Sequence, residues 1–562
     1  ENHPVIGKVL GAGMGPYPMN IVECKNRLLS AIKLNANELK KFGFKRTLKK
    51  LLFFRVFHFS NDFWYHHWIS KNERNPGWYF WKKEDFSSFS YRPKISILMP
   101  VWNIDPLWLK MAIRSVSFQS YQNWELCIVY AGPHDPSVCE LLSRAKKSDQ
   151  RIRLKYIDVN EGISGNTNKA LEMASGEFTG FLDQDDELAP FALKEVVDLL
   201  NRNKSLNLIY SDHDIIDTTG KRRDPYFKPD FSLPLLFSGN FLLHFVVCRT
   251  SILRKIGGIR EGFEGAQEYD LNLRLTEIIS RESISHIRKI LYHWRCLETS
   301  CALNVSKKPL SSHAGKLALE QYLKRNNIQG EVIPLPHNAY RVRFSPFNSP
   351  NCILLFLWRD VDDEMDDPKG IREVMEWIRS QAIPCIIPET YGALCRELHP
   401  VMYYKGKACH ALSMIKMNHD TEFVIVVHLP QEHYSPMAFN DHWLDELVNL
   451  YSVFSAGVVG CGAPVFHNVL CSVPFPCGPL FCVKRLLLEK YLNSRDIIPD
   501  FPGFQKDISR FAEEEGLENI STPFCIQVLR DPILLYDYYH PVKDHQFFTR
   551  NMRYYLKPVF FE

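Results

Sequence analysis

From residue 92 onward the chain alternates short apolar runs with longer amphipathic stretches. Lys94-Ile-Ser-Ile-Leu-Met99 predicts a strand that Pro100 stops, and 106–119 predicts a helix. Glu125-Leu-Cys-Ile-Val129 predicts a second strand, 137–146 a helix, and Ile152-Arg-Leu-Lys-Tyr-Ile157 a third strand. A helix over 166–174 leads to the apolar run Phe178-Thr-Gly-Phe-Leu182. Beyond it, 190–201 reads as helix, 206–210 as strand, 268–279 as helix, 287–294 as strand and 312–325 as helix. Strands alternating with helices predict an α/β domain with a mostly parallel, Rossmann-like sheet.

Directly after the run 178–182 stand Asp183-Gln184-Asp185-Asp186. Open α/β sheets bind ligands outside the carboxyl ends of their strands. Mg²⁺ is commonly held by one or two carboxylates together with substrate phosphates. The cluster is therefore a candidate metal-diphosphate site. The spacing alone is cheap, because Asp-x-Asp also occurs at Asp212-His-Asp214 and Asp360-Val-Asp362, where a solvated turn is the plainer reading.

The second half partly repeats the first. Lys169-Ala-Leu-Glu-Met-Ala174 is similar to His410-Ala-Leu-Ser-Met-Ile415, Glu177-Phe-Thr-Gly-Phe-Leu182 to Glu422-Phe-Val-Ile-Val-Val427, and Glu268-Tyr-Asp-Leu271 to Gln505-Lys-Asp-Ile508. The offsets are 241, 245 and 237 residues, from 410−169, 422−177 and 505−268. Either the domain is duplicated or the two halves share an α/β rhythm. In the duplicated register Asp183-Gln-Asp-Asp186 becomes His428-Leu-Pro-Gln431 and Glu268 becomes Gln505, so the second copy lacks these carboxylates. The expected division is 1–90, an N-terminal helical, basic and aromatic segment; 91–340, the domain with the acidic cluster; and 341–562, its degenerate, non-catalytic copy.

Composition narrows this little. A net charge of +4 over 562 residues gives no reason to expect a nucleic-acid partner. The 15 cysteines fall without paired Cys-x-x-Cys spacing and are expected as free thiols of a reducing, cytoplasmic compartment. No leader is read at the start, and no transmembrane helix is expected. Residues 40–55 carry seven Lys/Arg and no acid among phenylalanines and leucines, and 58–68 add Phe59, Phe63, Trp64 and Tyr65. Two readings stay open for 40–68: a peripheral contact with the inner face of the cytoplasmic membrane, or an arm packed on protein with its lysines in water.

Several ordered stretches resemble the family 2 glycosyltransferases of GT-A fold. They are Ile97-Leu-Met-Pro-Val-Trp-Asn103, Asn160-Glu-Gly-Ile-Ser164 with Asn168-Lys-Ala-Leu171, and Leu182-Asp-Gln-Asp-Asp-Glu-Leu188. Tyr210-Ser-Asp212, Pro225-Tyr-Phe-Lys-Pro-Asp230, Gly262-Phe-Glu-Gly-Ala-Gln-Glu-Tyr-Asp-Leu271 and Tyr292-His-Trp-Arg295 follow. The resemblance is to the bacterial branch, called rhamnosyltransferase-like, that builds O-antigen and other surface polysaccharides, often with two such domains in tandem.

The resemblance implies an inverting, metal-dependent transfer from a nucleotide-sugar donor to a glycan or lipid-linked oligosaccharide acceptor. It places Pro100, Val101, Trp102, Asn103, Tyr130, Asn168, Asp183, Gln184 and Arg295 around the donor. Asp185 would ligate Mg²⁺ or Mn²⁺, His293 would complete the metal shell or touch the diphosphate, and Asp186 would be a supporting partner or a helix cap. Glu268 takes the position of the general base, with Asp270 as its rival. One departure stands out. The family commonly carries acids after the second strand, where this chain has Tyr130-Ala-Gly-Pro133, so a tyrosine would meet the base. Two other readings remain: a non-catalytic glycan-binding or scaffold protein, and a sugar nucleotidyltransferase, which usually shows a Gly-rich basic loop that 101–109 lacks.

Overall fold

The computed structural model describes residues 61–73, 89–297, 308–335, 338–344, 352–357, 385–388, 401–404, 422–428, 448–450, 456–461, 471–472, 480–495 and 503–522. The chain divides into units 1–74 and 75–562. In the first, helix α1 (Asn61–Asn72) is described, with Tyr65 stacked on Trp68 at 5.9 Å. The basic stretch 40–55, on which the membrane reading rests, lies outside the described residues. Among the described residues no helix is long and apolar enough to cross a membrane.

The second unit begins with β1 (Ile95–Val101), α2 (Pro106–Ser117), β2 (Trp124–Ala131), α3 (Pro136–Ser148), β3 (Ile152–Ile157), α4 (Gly162–Met173) and β4 (Phe178–Phe181). It continues through β5 (Glu187–Leu188), α5 (Ala192–Arg202), β6 (Leu208–Ile216), β7 (Arg222–Tyr226), α6 (Leu233–Ser238), β8 (Val246–Arg249) and α7 (Thr250–Lys255). Then come α8 (Gln267–Thr276), β9 (Ile284–Arg295), α9 (Lys308–Arg325), β10 (Gly330–Leu335) and β11 (Ala339–Phe344). The first sheet runs β3-β2-β1-β4-β8-β6-β9-β5, with β7 added on β6.

β1 and β2 are apolar on both faces because both faces are covered, as expected of central parallel strands. Ile95, Ile97 and Met99 pack with Leu109, Val138 and Val196 on one side. Leu98, Cys127 and Val129 pack with Ala170, Leu171 and Leu319 on the other. Helices α2 and α3 start alike: Asp105 and Asp135 accept backbone N–H bonds of the first turn, and a proline follows each.

Two expectations need correction. The sheet is mixed rather than mostly parallel. β1, β2, β3 and β4 pair in parallel, but β8 lies antiparallel between β4 and β6, and β5 and β7 are also antiparallel to their neighbours. The segment 227–245 returns the chain, so the four-residue β8 enters the gap in reverse. Nor does Pro100 stop β1. The ladder to β4 ends at Leu98, so beyond it β1 is paired on one side alone, and Pro100 continues opposite Val129 of β2. A proline is tolerated where no ladder bond is asked of its nitrogen.

A second sheet is built from β12 (Cys352–Leu357), β13 (Cys385–Pro388), β14 (Val401–Tyr404), β15 (Phe423–His428), β16 (Ala456–Cys461), β17 (Cys471–Ser472), β18 (Leu480–Lys484) and β19 (Glu518–Thr522). Helices α10 (Arg485–Asn493) and α11 (Gly503–Glu514) lie between β18 and β19 in sequence. Its order is β14-β13-β12-β15-β18-β16-β19-β17. β12 sits between β13 and β15 as β1 sits between β2 and β4. β18 is antiparallel between β15 and β16 as β8 is between β4 and β6. β16 is parallel to β19 as β6 is to β9. Only the edge changes, since β17 comes from between β16 and β18, whereas β5 precedes β6. Phe423 pairs with Cys352 as Phe178 pairs with Ile95, an offset of 423 − 178 = 245 that carries Asp183 onto His428, the last residue of β15. Gln505 falls in α11. Leu429, Pro430, Gln431 and the acidic stretch 360–367 lie outside the described residues.

One buried acid knits the first sheet. Glu125 of β2 receives Lys94 Nζ at 2.8 Å, Ser96 Oγ at 2.6 Å, and the backbone N–H groups of Ser175 at 2.5 Å and Gly176 at 3.2 Å. Burial alone would raise its pKa, but Lys94, Ser96 and Ser175 outweigh it and hold the carboxyl down at about 2. A folded pKa below the unfolded value adds stability above the unfolded pKa, near 4.5, that is lost as pH falls toward 2. Glu125→Gln is expected to cost about 2–3 kcal/mol at pH 7. The gap between its melting temperature and that of the wild type should shrink steadily below pH 4.5, and a pH-independent gap would contradict this account.

Candidate active site

The cluster 183–186 lies just past β4, at the carboxyl end of the central strands, and its three acids have different fates. Asp186 is buried and fully engaged. Tyr292 Oη donates to its Oδ2 at 2.5 Å and the Arg295 N–H to its Oδ1 at 2.7 Å. It is thus a supporting partner and caps no helix. Asp183 and Asp185 are half-buried, and no protein side chain donates to their carboxylates among the described residues. Burial, joined by the repulsion of Asp185, pushes Asp183 up to about 7. Burial raises Asp185 as well, against the pull of Arg295.

Gln184 turns the other way and joins the loop after β1. Its Oε1 accepts the Trp102 N–H at 2.8 Å and its Nε2 donates to the Trp102 carbonyl at 3.0 Å. This two-point amide clamp fixes Trp102, whose ring is 46% exposed, beside the acidic loop. Asn103 follows in the left-handed region, at φ 45°. Pro100, Val101, Trp102, Asn103, Asp183, Gln184 and Asp185 are therefore gathered at the carboxyl ends of β1 and β4, although Val101 itself is buried.

Glu268 stands in the first turn of α8. No described protein group hydrogen-bonds its carboxylate. Burial, with repulsion from Asp183, raises its pKa to about 8, and Lys228 works in the opposite direction. Asp183 therefore lies between Asp185 and Glu268 electrostatically, repelling both. Asp270, two residues on, is occupied. It is completely buried and clamped by Arg274 Nε at 2.8 Å and Arg260 Nε at 3.0 Å. Arg274 also donates to the Ile256 and Gly258 carbonyls. Asp270 anchors α8 to the preceding loop, and the structure gives it no access to a substrate.

Three further candidates serve the frame. Arg295 is 1% exposed; its Nε donates to the Asp185 carbonyl at 2.8 Å, it pairs with Glu187, and its guanidinium lies 4.7 Å from the Trp108 ring centre. It holds the acidic loop from behind. Asn168 of α4 bonds the backbone of Ile259 in both directions, at 2.7 and 2.9 Å, and steadies the approach to α8. Tyr130 is buried, and its hydroxyl accepts the Asp135 N–H at 2.8 Å, so its ring is closed off as a platform for a base.

His293 lies within β9, opposite Glu187 of β5 and Asp214 of β6. Its Nδ1 is 2.5 Å from Asp214 Oδ1, while Asp214 Oδ2 accepts Arg222 Nε at 2.5 Å. A carboxylate at Nδ1 puts the proton there and leaves Nε2 with a lone pair, the arrangement seen behind metal-bound histidines. Asp214 was read from sequence as a turn, yet it is completely buried in a strand. Asp212 is buried too: its Oδ1 accepts the Lys228 N–H at 2.8 Å and lies 2.7 Å from His286 Nε2, while its Oδ2 is an orphan.

Lys228 is a further buried charge beside this region. It is fully buried, and its ammonium donates to the carbonyls of Ser211, Leu242 and His244. Burial drives its pKa well down, against Asp212 and Glu268. His244 stacks on Tyr292 at 4.8 Å, and burial brings its pKa to about 3, so it is neutral. The available signal was a strand-like run through 208–216 carrying two acids on one face.

Among the described residues no three His, Cys, Asp or Glu side chains form a group that could hold a metal ion unaided.

Residues 96–256 match the model of glycosyl transferase family 2. An uncharacterized protein of Sinorhizobium fredii is 40% identical over 243 residues, covering 43% of this chain and 26% of its own length. The O-antigen biosynthesis protein RfbC of Myxococcus xanthus is 30% identical over 405 residues, covering 67% of this chain and 30% of its own. The chain thus spans less than a third of either relative. Crystalline S. aureus TarS 1-349 in complex with UDP-GlcNAc aligns at 16% identity with a TM-score of 0.33, over 42% of this chain and 72% of that one. Through residues 96–256 the chain is thus similar to glycosyl transferase family 2.

Proposed function

We propose that the chain transfers a sugar from a nucleotide-sugar donor to a glycan acceptor in surface-polysaccharide synthesis, with inversion and with Glu268 as the base. The observation that carries this is the pairing of two unpartnered strand-end carboxylates, Asp183 and Asp185, with a third unpartnered and electrostatically linked carboxylate, Glu268. The name of the Myxococcus relative, an O-antigen biosynthesis protein, supports the polysaccharide setting. A lipid-linked acceptor and a place at the inner face of the cytoplasmic membrane are part of the same proposal.

The residues present fit a divalent cation, Mg²⁺ or Mn²⁺. Two carboxylates that burial and mutual repulsion push up are stabilised by positive charge. An ion held by one or two protein ligands and by phosphate oxygens needs no three-donor protein group. Asp185 and the Nε2 of His293 would hold it, and it would stabilise the charge gathering on the nucleoside diphosphate as that group leaves. Trp102 and Asn103 form the wall for the base and ribose, with Gln184 fixing their distance from the acidic loop. Asp183 faces the donor sugar. Glu268 takes the proton from the acceptor hydroxyl as the new bond forms, a contribution of roughly 10²–10⁴-fold.

We further propose that 341–562 is a degenerate GT-A-like copy without a donor site. The shared strand order supports it, and so does the chemistry of its equivalent positions, His428 and Gln505. Titration of full-length Asp185→Ala protein with nucleotide sugars and Mn²⁺ is a direct check. Residual saturable, metal-dependent donor binding would locate a second site.

Asp185→Ala is expected to abolish transfer and the metal-dependent part of donor binding while leaving the melting temperature within a few degrees of wild type. Equal activity at saturating Mn²⁺ would remove Asp185 from the metal shell. Glu268→Gln should slow transfer by ~10²-fold or more with donor affinity retained. It should also raise the melting temperature at pH 8 and above. A carboxyl whose folded pKa lies above its unfolded value loses stability as pH rises between the two, and glutamine does not. Asp270→Asn should do the reverse, lowering the melting temperature because Arg274 loses its buried partner.

Activity of the wild type is expected to climb with pH toward the value near 8 set by Glu268, because only the ionised carboxylate accepts a proton. A kcat/KM profile flat from pH 6 to 9 would argue against Glu268 as the base. Asp214→Asn should weaken Mn²⁺-dependent donor binding by about 10–100-fold through loss of the held tautomer of His293. Unchanged metal dependence in this variant would remove His293 from the shell.

A further inference from the structure

Behind Glu268 lies a cavity of about 300 Å³. That is the lower end of the size range for small-molecule sites. Glu268 and Gln267 form one wall at the start of α8, and the segment 238–243 forms another. The remaining wall comes from later in the chain than α8: Ser311 on α9 and 338–340 at the start of β11.

Its polar lining is unsatisfied in a directed way. Gln267 Oε1 accepts the Gly265 N–H, and Asn240 Oδ1 accepts Asn272 Nδ2, which leaves the amide nitrogens of both residues without a protein partner. The Tyr226 hydroxyl and the Glu268 carboxylate likewise have none among the described residues. Two amide donors, a hydroxyl and a carboxylate around one cavity match the hydroxyl groups of a sugar. Leu235, Phe241 and Leu243 supply apolar surface beside them.

The charge of the lining is equally specific. Among the described residues no lysine, arginine or histidine lines the cavity, and Glu268 is the one carboxylic acid there. A carboxylated, sulfated or phosphorylated sugar would bring a second anion against Glu268, while the cation that acts on Glu268, Lys228, is outside the lining and already engaged by three backbone carbonyls, a costly arrangement in a partly buried space.

The outer wall is firmly placed. The Tyr340 hydroxyl donates to the Ser312 carbonyl at 3.1 Å, and its ring stacks on Tyr269 at 5.7 Å. A Cβ at Gly315 would come 2.0 Å from the Tyr340 hydroxyl oxygen, and one at Gly265 2.8 Å from Ser311 Cβ. The hairpin and α9 therefore close the cavity at a fixed distance from Glu268.

We propose that this cavity binds the acceptor's terminal sugar and selects one that is uncharged, with the β10–β11 hairpin and α9 as the selecting wall. The proposal rests on Glu268 as the base of a glycosyl transfer. The acceptor hydroxyl sits against Glu268, Asn240 and Gln267 hold neighbouring hydroxyls, and Tyr226 holds a further one.

The test is saturation-transfer NMR on the full chain with p-nitrophenyl glycosides of several neutral hexoses and the matching p-nitrophenyl glucuronide. Wild type should bind at least one neutral glycoside and show no saturable signal for the glucuronide. Tyr226→Phe, which keeps the ring, and the Asn240→Ala/Gln267→Ala double variant should each weaken neutral-glycoside binding at least fivefold, with nucleotide-sugar affinity in Mn²⁺ as the check on folding. Binding of no neutral glycoside, equal binding of the glucuronide, or unaltered binding in both variants would overturn the proposal. Glycoside binding without any nucleotide-sugar binding would instead overturn the transferase reading and leave the cavity a sugar site. Nucleotide-sugar binding with no variant-sensitive glycoside binding would leave the transferase reading and remove the cavity.

Discussion

The buried carboxylate of Asp186 is the constraint on which the site depends. It receives the Tyr292 hydroxyl and the Arg295 N–H, both from β9, and so ties the loop after β4 to a strand far away in sequence. Arg295 reinforces the tie by donating to the Asp185 carbonyl. With the loop held from behind, Asp183 and Asp185 have no freedom to swing into bulk water and relieve their repulsion. Leaving such a buried group without one of its hydrogen-bond partners generally costs ~1–3 kcal/mol. The fold thus offsets the unfavourable crowding of two acids at a strand end, and that crowding makes the place attractive to a cation.

A second buried network does the same for Glu268. Lys228 gathers the carbonyls of Ser211, Leu242 and His244, and Asp212 fixes both the Lys228 backbone and His286. Together they hold the returning segment 227–245, which inserts β8 in reverse and forms one wall of the cavity beside Glu268. The mixed character of the sheet and the surroundings of the candidate base therefore have one origin. The Asp270 clamp with Arg260 and Arg274 sets the other boundary, because it seats α8 and with it the position of Glu268.

The second sheet repeats the strand order of the first apart from one edge. Its central strands and the reversed strand β18 reproduce the order around β1, β4 and β8. Its strand register carries Asp183 onto His428. Strand order depends on apolar packing and backbone pairing, which a residue at a strand end does not decide. Polar chemistry at strand ends is therefore a separate layer from the frame.

The sequence by itself determined the α/β alternation, the strand carrying the acidic cluster, and the helix carrying Glu268, because each rests on local periodicity or on contiguous residues. It also located Trp102 and Gln184 near one another by motif, though their amide clamp is visible only in three dimensions. Tertiary structure alone decided which acids are available. Asp183 and Glu268 against Asp186 and Asp270 cannot be told apart by residue type or by spacing. What separates them is whether a partner from β9, or an arginine from the loop before α8, happens to reach them. Asp212-His-Asp214 reads as a turn for the same reason, since a short polar motif stays ambiguous until non-local strands bury it. Tyr130 and Arg295 erred in the other direction: burial and framework hydrogen bonds consume groups that a linear reading leaves free for a ligand.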